Sequence, residues 1–356
     1  MRVALVWTAP THRLSGLPVA SILSRDVVEI QSEPRGALNF RALCEFDCIV
    51  ASCGGRLLNR IIAGCYEICD DERPLIVSVF PGIVSSMQID ALLTRLRADL
   101  VCMNSQKDLR AMKRLCQRAG LSDNTVLSGP PWTMDYSPSV PTANYDAERD
   151  IAIFAEQDLV PIPTEISNLE CAIETICRQH PEVDIFLKSH PRASADRSSR
   201  LFSERTLPPN LFYMSDRVPL TEVSRQRFRG VITISSSLAH SAFVNGYPVY
   251  ILQIDSAAET WAHIFAESGL QVTADEISLY EPPSAYPAWE NANSVTFAPD
   301  VVVEAVENAF GLSVPLTQRP LLSWYQKERL KHHLRFEGLY DGEKFKASFR
   351  ILESVT

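Results

Sequence analysis

Short, nearly continuous apolar runs recur along the chain, each closing on small or turn-forming residues. In the first half they are Val3–Trp7, Val27–Ile30, Cys48–Ser52, Leu75–Phe80, Leu100–Asn104 and Thr125–Ser128. Between several of them the apolar residues return every three or four positions, over Leu57–Ile68, Ile89–Leu96 and Asp108–Ala119, the last stopping at Gly120. Unbroken apolar strands alternating with amphipathic helices predict a parallel, doubly wound sheet, because only there are both faces of a strand buried. The stretch from Gly129 to Pro141 breaks the pattern, with four prolines in thirteen residues and no period. The alternation then restarts. Strands are predicted at Ile151–Ala155, Asp184–Lys188, Leu211–Met214, Gly230–Ile234 and Val249–Leu252, and helices at Thr164–Arg178, Leu220–Arg225, Ser237–Asn245 and Ala257–Ala266. Two α/β domains follow, residues 1–145 and 146–322, with a helical tail, 323–356, packing back on the body.

Composition narrows the function. The 356 residues suit two domains, and 46% hydrophobic content supplies two cores. The 34 Lys and Arg against 43 Asp and Glu leave a formal charge of −9. A duplex nucleic-acid binder normally carries a basic surplus, so that class is set aside. Nine cysteines, an odd number confined to the first half, do not form a disulfide framework. No apolar run reaches the ~20 residues of a membrane helix. The expectation is a reduced, cytoplasmic protein whose cysteines are buried thiols.

Chemistry concentrates at two strand ends of the second domain. In Asp184-Ile185-Phe186-Leu187-Lys188-Ser189-His190-Pro191-Arg192 a strand runs into a loop with two cations, a hydroxyl and an imidazole. Pro191 ends the strand and keeps His190 out of helical geometry. Lys188, His190 and Arg192 can then converge on an anion. Gly230-Val231-Ile232-Thr233-Ile234 ends in Ser235, Ser236 and Ser237 and leads straight into a helix that stops at Gly246. Ser236 or Ser237 as N-cap leaves backbone N–H groups and the positive end of the helix dipole at the strand's carboxyl edge. Alone, the first reads as a histidine packed at a strand end beside two solvated cations, and the second as a serine-rich cap. Two in one domain read as a phosphate site.

Lys188-Ser189-His190-Pro191, followed some forty-five residues later by Ser235-Ser236-Ser237, resembles the His-Pro and Ser motifs of bacterial GT-B glycosyltransferases that use CMP-activated acidic sugars, the sialyl-, polysialyl- and Kdo transferases of capsule and lipopolysaccharide assembly. The resemblance implies two doubly wound domains facing a cleft. It also implies a metal-independent transfer, without cofactor, from a CMP-sugar to a cell-surface glycan or glycolipid. His190 would meet the CMP phosphate, and Ser236 with Ser237 would bind it from the helix start. The acidic motif that supplies the base in that group has no convincing copy. Asp70-Asp71-Glu72 precedes a strand instead of ending one, and Phe80-Pro81-Gly82 is followed by no acid before Asp90. Polyol-phosphate transferases and sugar-nucleotide epimerases of the same fold, or a non-catalytic phospho-ligand binder, are the alternatives.

For the base, the remaining first-domain candidate is His12, in the loop Thr8–Gly16 after the first strand, with Asp90 next. An imidazole suits proton removal near neutral pH. Arg13 beside it is placed to orient a sugar carboxylate. Cys44, Cys48, Cys65 and Cys69 number enough for a zinc site but lack knuckle spacing, so buried thiols are the expectation. No Gly-x-x-x-x-Gly-Lys or Gly-x-Gly-x-x-Gly loop is present. The tail residues Lys327, Arg329, Lys331, His332, His333 and Arg335 read first as the solvated face of a helix packed through Leu330 and Leu334. Their second reading is a peripheral contact with anionic lipid at the inner face of the membrane.

Overall fold

A computed structural model describes residues 1–33, 36–69, 72–80, 89–133, 149–156, 163–188, 201–202, 205–213, 226–254, 265, 267–311 and 326–331. The chain divides into two units. The first holds residues 1–134 with 291–342, and the second holds 135–290 with 343–356.

In the first unit the elements run β1 (Val3–Trp7), α1 (Pro10–Leu23), β2 (Val27–Gln31), α2 (Phe40–Leu43), β3 (Cys48–Ser52), α3 (Gly55–Cys69), β4 (Leu75–Val79), α4 (Ile89–Arg95), β5 (Leu100–Met103), α5 (Gln106–Ala119) and β6 (Thr125–Leu127). The six strands form one parallel sheet in the order β2-β1-β3-β4-β5-β6. Alternate residues face opposite layers. Leu5, Val50 and Val77 pack with α1 residues Val19 and Ala20. Ala4, Val6, Ile49 and Ile76 pack with α3 residues Leu58, Ile61 and Ile62.

The second unit runs β7 (Asp150–Ala155), α6 (Pro163–Gln179), β8 (Val183–Lys188), β9 (Leu211–Tyr213), β10 (Phe228–Thr233), α7 (Ser237–Val244), β11 (Val249–Leu252), β12 (Gln271–Val272) and α8 (Pro287–Asn293). Its parallel sheet has the order β12-β11-β10-β7-β8-β9. One layer joins Phe154, Leu187 and Ile232 to α6 through Leu169, Ile173 and Ile176. The other joins Ile153 and Val231 to α7 through Ala239 and Ala242.

The structure corrects the sequence reading in three places. Residues Pro10–Gly16 are not a loop but the start of α1, with Pro10 in its first turn and Pro18 inside it. Helix α9 (Pro299–Gly311) follows the second alternation in the chain but buries Val302 and Val306 in the first sheet's core. Its approach depends on Gly129, whose φ is +69° and where a Cβ would lie 2.2 Å from the carbonyl oxygen of Thr296. Lastly, Cys44 and Cys69 are not free thiols. The end of α2 and the end of α3 bring their Cα atoms to 6.6 Å and the sulfurs are bonded, whereas Cys48 and Cys65 lie in the core. The helical residues 326–331 pack Leu330 among Leu92, Leu96 and Leu115 of the first unit. Among the described residues no helix is long and apolar enough to cross a membrane.

Candidate functional site

In each sheet the strand order reverses once. The second sheet grows from β7 toward β9 on one side and from β10 toward β12 on the other, so its switch point lies between β7 and β10. Ligands of open parallel sheets bind at the carboxyl ends of such strands. Ser235, Ser236 and Ser237 stand there. Ser236 is the N-cap of α7, in extended geometry, and its Oγ accepts from the N–H of Leu238 at 3.2 Å. The N–H of Ser236 in turn donates to Oγ1 of Thr233 at 3.3 Å, and that hydroxyl donates to the carbonyl of Ala155 on β7 at 2.7 Å. This chain of bonds ties the start of α7 to both strands of the switch point. Ser237 is exposed at the first helical position and Ser235 is half-buried. The hydroxyl of Ser236 keeps a proton to donate after accepting from Leu238.

Lys188 closes β8, opposite Ala155 in the ladder, and its carbonyl accepts from the N–H of Glu156 at 2.9 Å. Strands β8 and β10 flank β7, so their backbones stand about 10 Å apart, within reach of a lysine side chain toward the head of α7. His190, Pro191 and Arg192 lie outside the described residues.

In the first sheet the reversal lies between β1 and β3, and α1 starts at that edge. His12 sits in its first turn, half-buried. Its Nδ1 hydrogen-bonds Oγ1 of Thr8, and its carbonyl accepts from Oγ of Ser52, the last residue of β3, at 2.6 Å. Helix α1 comes this close because residue 16 is glycine; a Cβ there would lie 2.6 Å from both Leu5 Cδ1 and Ser52 Cβ. Arg13 is engaged elsewhere. Its guanidinium grips Glu29 on edge strand β2 through two bonds of 2.5 and 2.8 Å, and this lowers the Glu29 carboxyl from its ordinary range. Asp90, on the first turn of α4, is exposed and ion-paired to Lys331 at 2.9 Å. Lys331 also reaches Glu328 at 3.1 Å.

Two buried charged groups at this edge escaped the sequence reading. Arg95 is 2% exposed, donates to the carbonyls of Ala91 and Cys53, and lies 4.1 Å over the Phe80 ring. Burial pulls it down to about 10. It braces the ends of β3 and β4. Asp108 lies in the first turn of α5, where its N–H donates to N-cap Ser105 at 3.1 Å. Its Oδ2 has no hydrogen-bond partner, and burial pushes the carboxyl up to about 7.

Because the folded form of Asp108 holds its proton to higher pH than the unfolded form, folding takes up a proton between about pH 4 and 7. Stability contributed by this group therefore falls as pH rises through that window. Asp108→Asn should flatten the window, changing the pH 5 to pH 7.5 difference in unfolding free energy by about 2.5 kcal/mol. Urea denaturation at the two pH values measures it. An identical difference in wild type and variant would clear Asp108 of the effect.

Two doubly wound parallel sheets, each with a polar switch-point edge, define the GT-B architecture of enzymes that handle nucleotide-sugars. The chain belongs to the family described as "Putative glycosyltransferase (DUF6716)", whose model matches residues 21–309. Among solved structures, it is similar to UDP-GlcNAc 2-epimerase from Neisseria meningitidis bound to UDP-GlcNAc, with a TM-score of 0.53 at 9% identity over 87% of this chain and 99% of that one. The Methanocaldococcus jannaschii UDP-GlcNAc 2-epimerase, in complex with UDP-GlcNAc and UDP, gives 0.52 at 12% identity over 94% and 100%. No curated protein sequence matches significantly.

Proposed function

We propose that the protein transfers a sugar from a pyrimidine-nucleotide donor to a glycan or glycolipid acceptor, with the donor phosphate held at the head of α7. The observation that carries the reading is the Ser236-capped helix start bonded to β7 and β10 at the switch point. Ser235, Ser236, Ser237 and Lys188 supply donors and positive charge there, and His190, Pro191 and Arg192 follow Lys188 in the chain. As the bond from the anomeric carbon to the phosphate oxygen breaks, negative charge builds on the phosphate. A helix N-terminus and a lysine stabilise that charge more than they do the intact donor. The attacking hydroxyl loses its proton to a base, for which His12 is the first choice and Asp90 the second.

The motif resemblance favours a CMP-activated acidic sugar. A second reading, a sugar-nucleotide epimerase, is favoured by the structural neighbours, which are UDP-GlcNAc 2-epimerases. Both keep a pyrimidine nucleotide in the second unit. Thermal-shift titration against CMP, CDP, UDP, UDP-GlcNAc and GDP should show stabilisation by the pyrimidine nucleotides, about 2.7 kcal/mol at a hundredfold excess over Kd. Lys188→Ala should weaken that binding by about 1–3 kcal/mol. No shift with any nucleotide would overturn the reading. Conversion of UDP-GlcNAc to its C2 epimer without an acceptor, followed by NMR, would decide for the epimerase.

A further inference from the structure

We propose that the outer face of α5 is a docking surface for an anionic phospholipid membrane. Helix α5 carries Lys107, Arg110, Lys113, Arg114 and Arg118, all exposed. At 100° per residue these five cations fall within an arc of roughly 140° and run along about 17 Å of the helix. Its one acid, Asp108, is buried on the opposite side with Ala111, Met112 and Leu115. A chain with a net charge of −9 thus gathers five positive charges on one face of a fourteen-residue helix.

That placement works against the helix itself. Lys107 with Arg110 and Arg110 with Lys113 stand three residues apart, where like charges repel. Lys107 also sits in the first turn, at the positive end of the dipole. Asp123 offsets part of this through Lys113, at 3.4 Å. An external anionic surface relieves the repulsion. A band of long cationic side chains along one side of a helix can reach a planar anionic surface over the length of the helix. Besides the cations that face of α5 exposes Gln117, with Gln106 half-buried beside it. Attachment is therefore electrostatic and non-inserting, and it yields to salt. Since α5 begins at the carboxyl end of β5, the Lys107 end of the docked face stands at the sheet edge that carries His12.

The test is co-sedimentation of the full chain with phosphatidylcholine vesicles, with and without about a third phosphatidylglycerol. Each cation near an anionic bilayer contributes roughly a fivefold factor in affinity. Binding should require phosphatidylglycerol, disappear near 0.5 M salt, where the Debye length is about 4 Å, and fall about 25-fold in Lys107→Gln/Arg110→Gln. That variant should keep the wild-type Tm, and Lys327→Gln/Arg329→Gln should keep wild-type binding. Wild type that ignores phosphatidylglycerol, or binding lost only in the tail variant, would overturn the proposal. So would tighter capture of duplex DNA through the same residues. Vesicle binding is read without nucleotide, so its failure and the failure of donor binding are separate results.

Discussion

Asp99→Ala should destabilise the protein by about 3–5 kcal/mol, the scale for stranding a buried charge. Asp99 precedes β5 and is 6% exposed at its side chain, against 1% for its partner Arg73. The guanidinium grips both carboxylate oxygens at 2.6 Å, and one of those oxygens also accepts from the N–H of Ile76 at 2.8 Å. Removing the carboxylate takes two charge-assisted bonds from a buried guanidinium, which keeps its bond to the Pro74 carbonyl at 3.0 Å. The pair holds the amino ends of β4 and β5, the edge of the sheet opposite His12. Stability should fall while affinity for the nucleotide proposed to bind at α7 stays at its wild-type value. Urea denaturation followed by circular dichroism gives the first quantity and calorimetric titration the second. A loss below about 1 kcal/mol would mean that water reaches the guanidinium and compensates it.

The central strands of both sheets were legible because each is buried on two faces, which leaves an unbroken apolar run in the sequence; edge strand β12, two half-buried residues, left none. Helix α1 was not. Thr8–Gly16 reads as a loop, yet Pro10 belongs to a first turn that has no need of its N–H, and Gly16 admits the close approach to Leu5 and Ser52. Helix α9 was not predicted either, and which sheet it covers depends on contacts with strands nearly two hundred positions away. The capping role of Ser236 was legible, since a hydroxyl between a strand and a helix has few other tasks. Arg95 was not, because an arginine in an amphipathic helix looks solvated until the Cys53 carbonyl and the Phe80 ring are placed around it. Arg13 looked available to a substrate for the same reason in reverse: its partner Glu29 lies on a neighbouring strand.

His12→Ala should lower turnover about 10²–10⁴-fold, the range for removing a general base, while nucleotide affinity changes less than about twofold. In free energy this is about 3–5 kcal/mol at the transition state and almost nothing at the bound donor. The split follows from where the groups stand: the donor phosphate is assigned to α7 in the second unit, and His12 to the first turn of α1 at the first sheet's switch point. For Nε2 to take a proton, Nδ1 must carry one and donate it to Oγ1 of Thr8, with which it is hydrogen-bonded. Thr8→Val removes that acceptor, so it should reduce turnover by a smaller factor and leave nucleotide affinity intact. Thr8→Ser, which keeps the hydroxyl, should restore turnover. The transfer rate under saturating donor and the affinity for the nucleotide alone, measured for the three variants, test the whole arrangement. Turnover within about threefold of wild type in His12→Ala would remove the imidazole from the chemistry. Asp90 would then have to leave its ion pair with Lys331 to serve as base, and Lys331→Ala would raise the rate instead of leaving it unchanged.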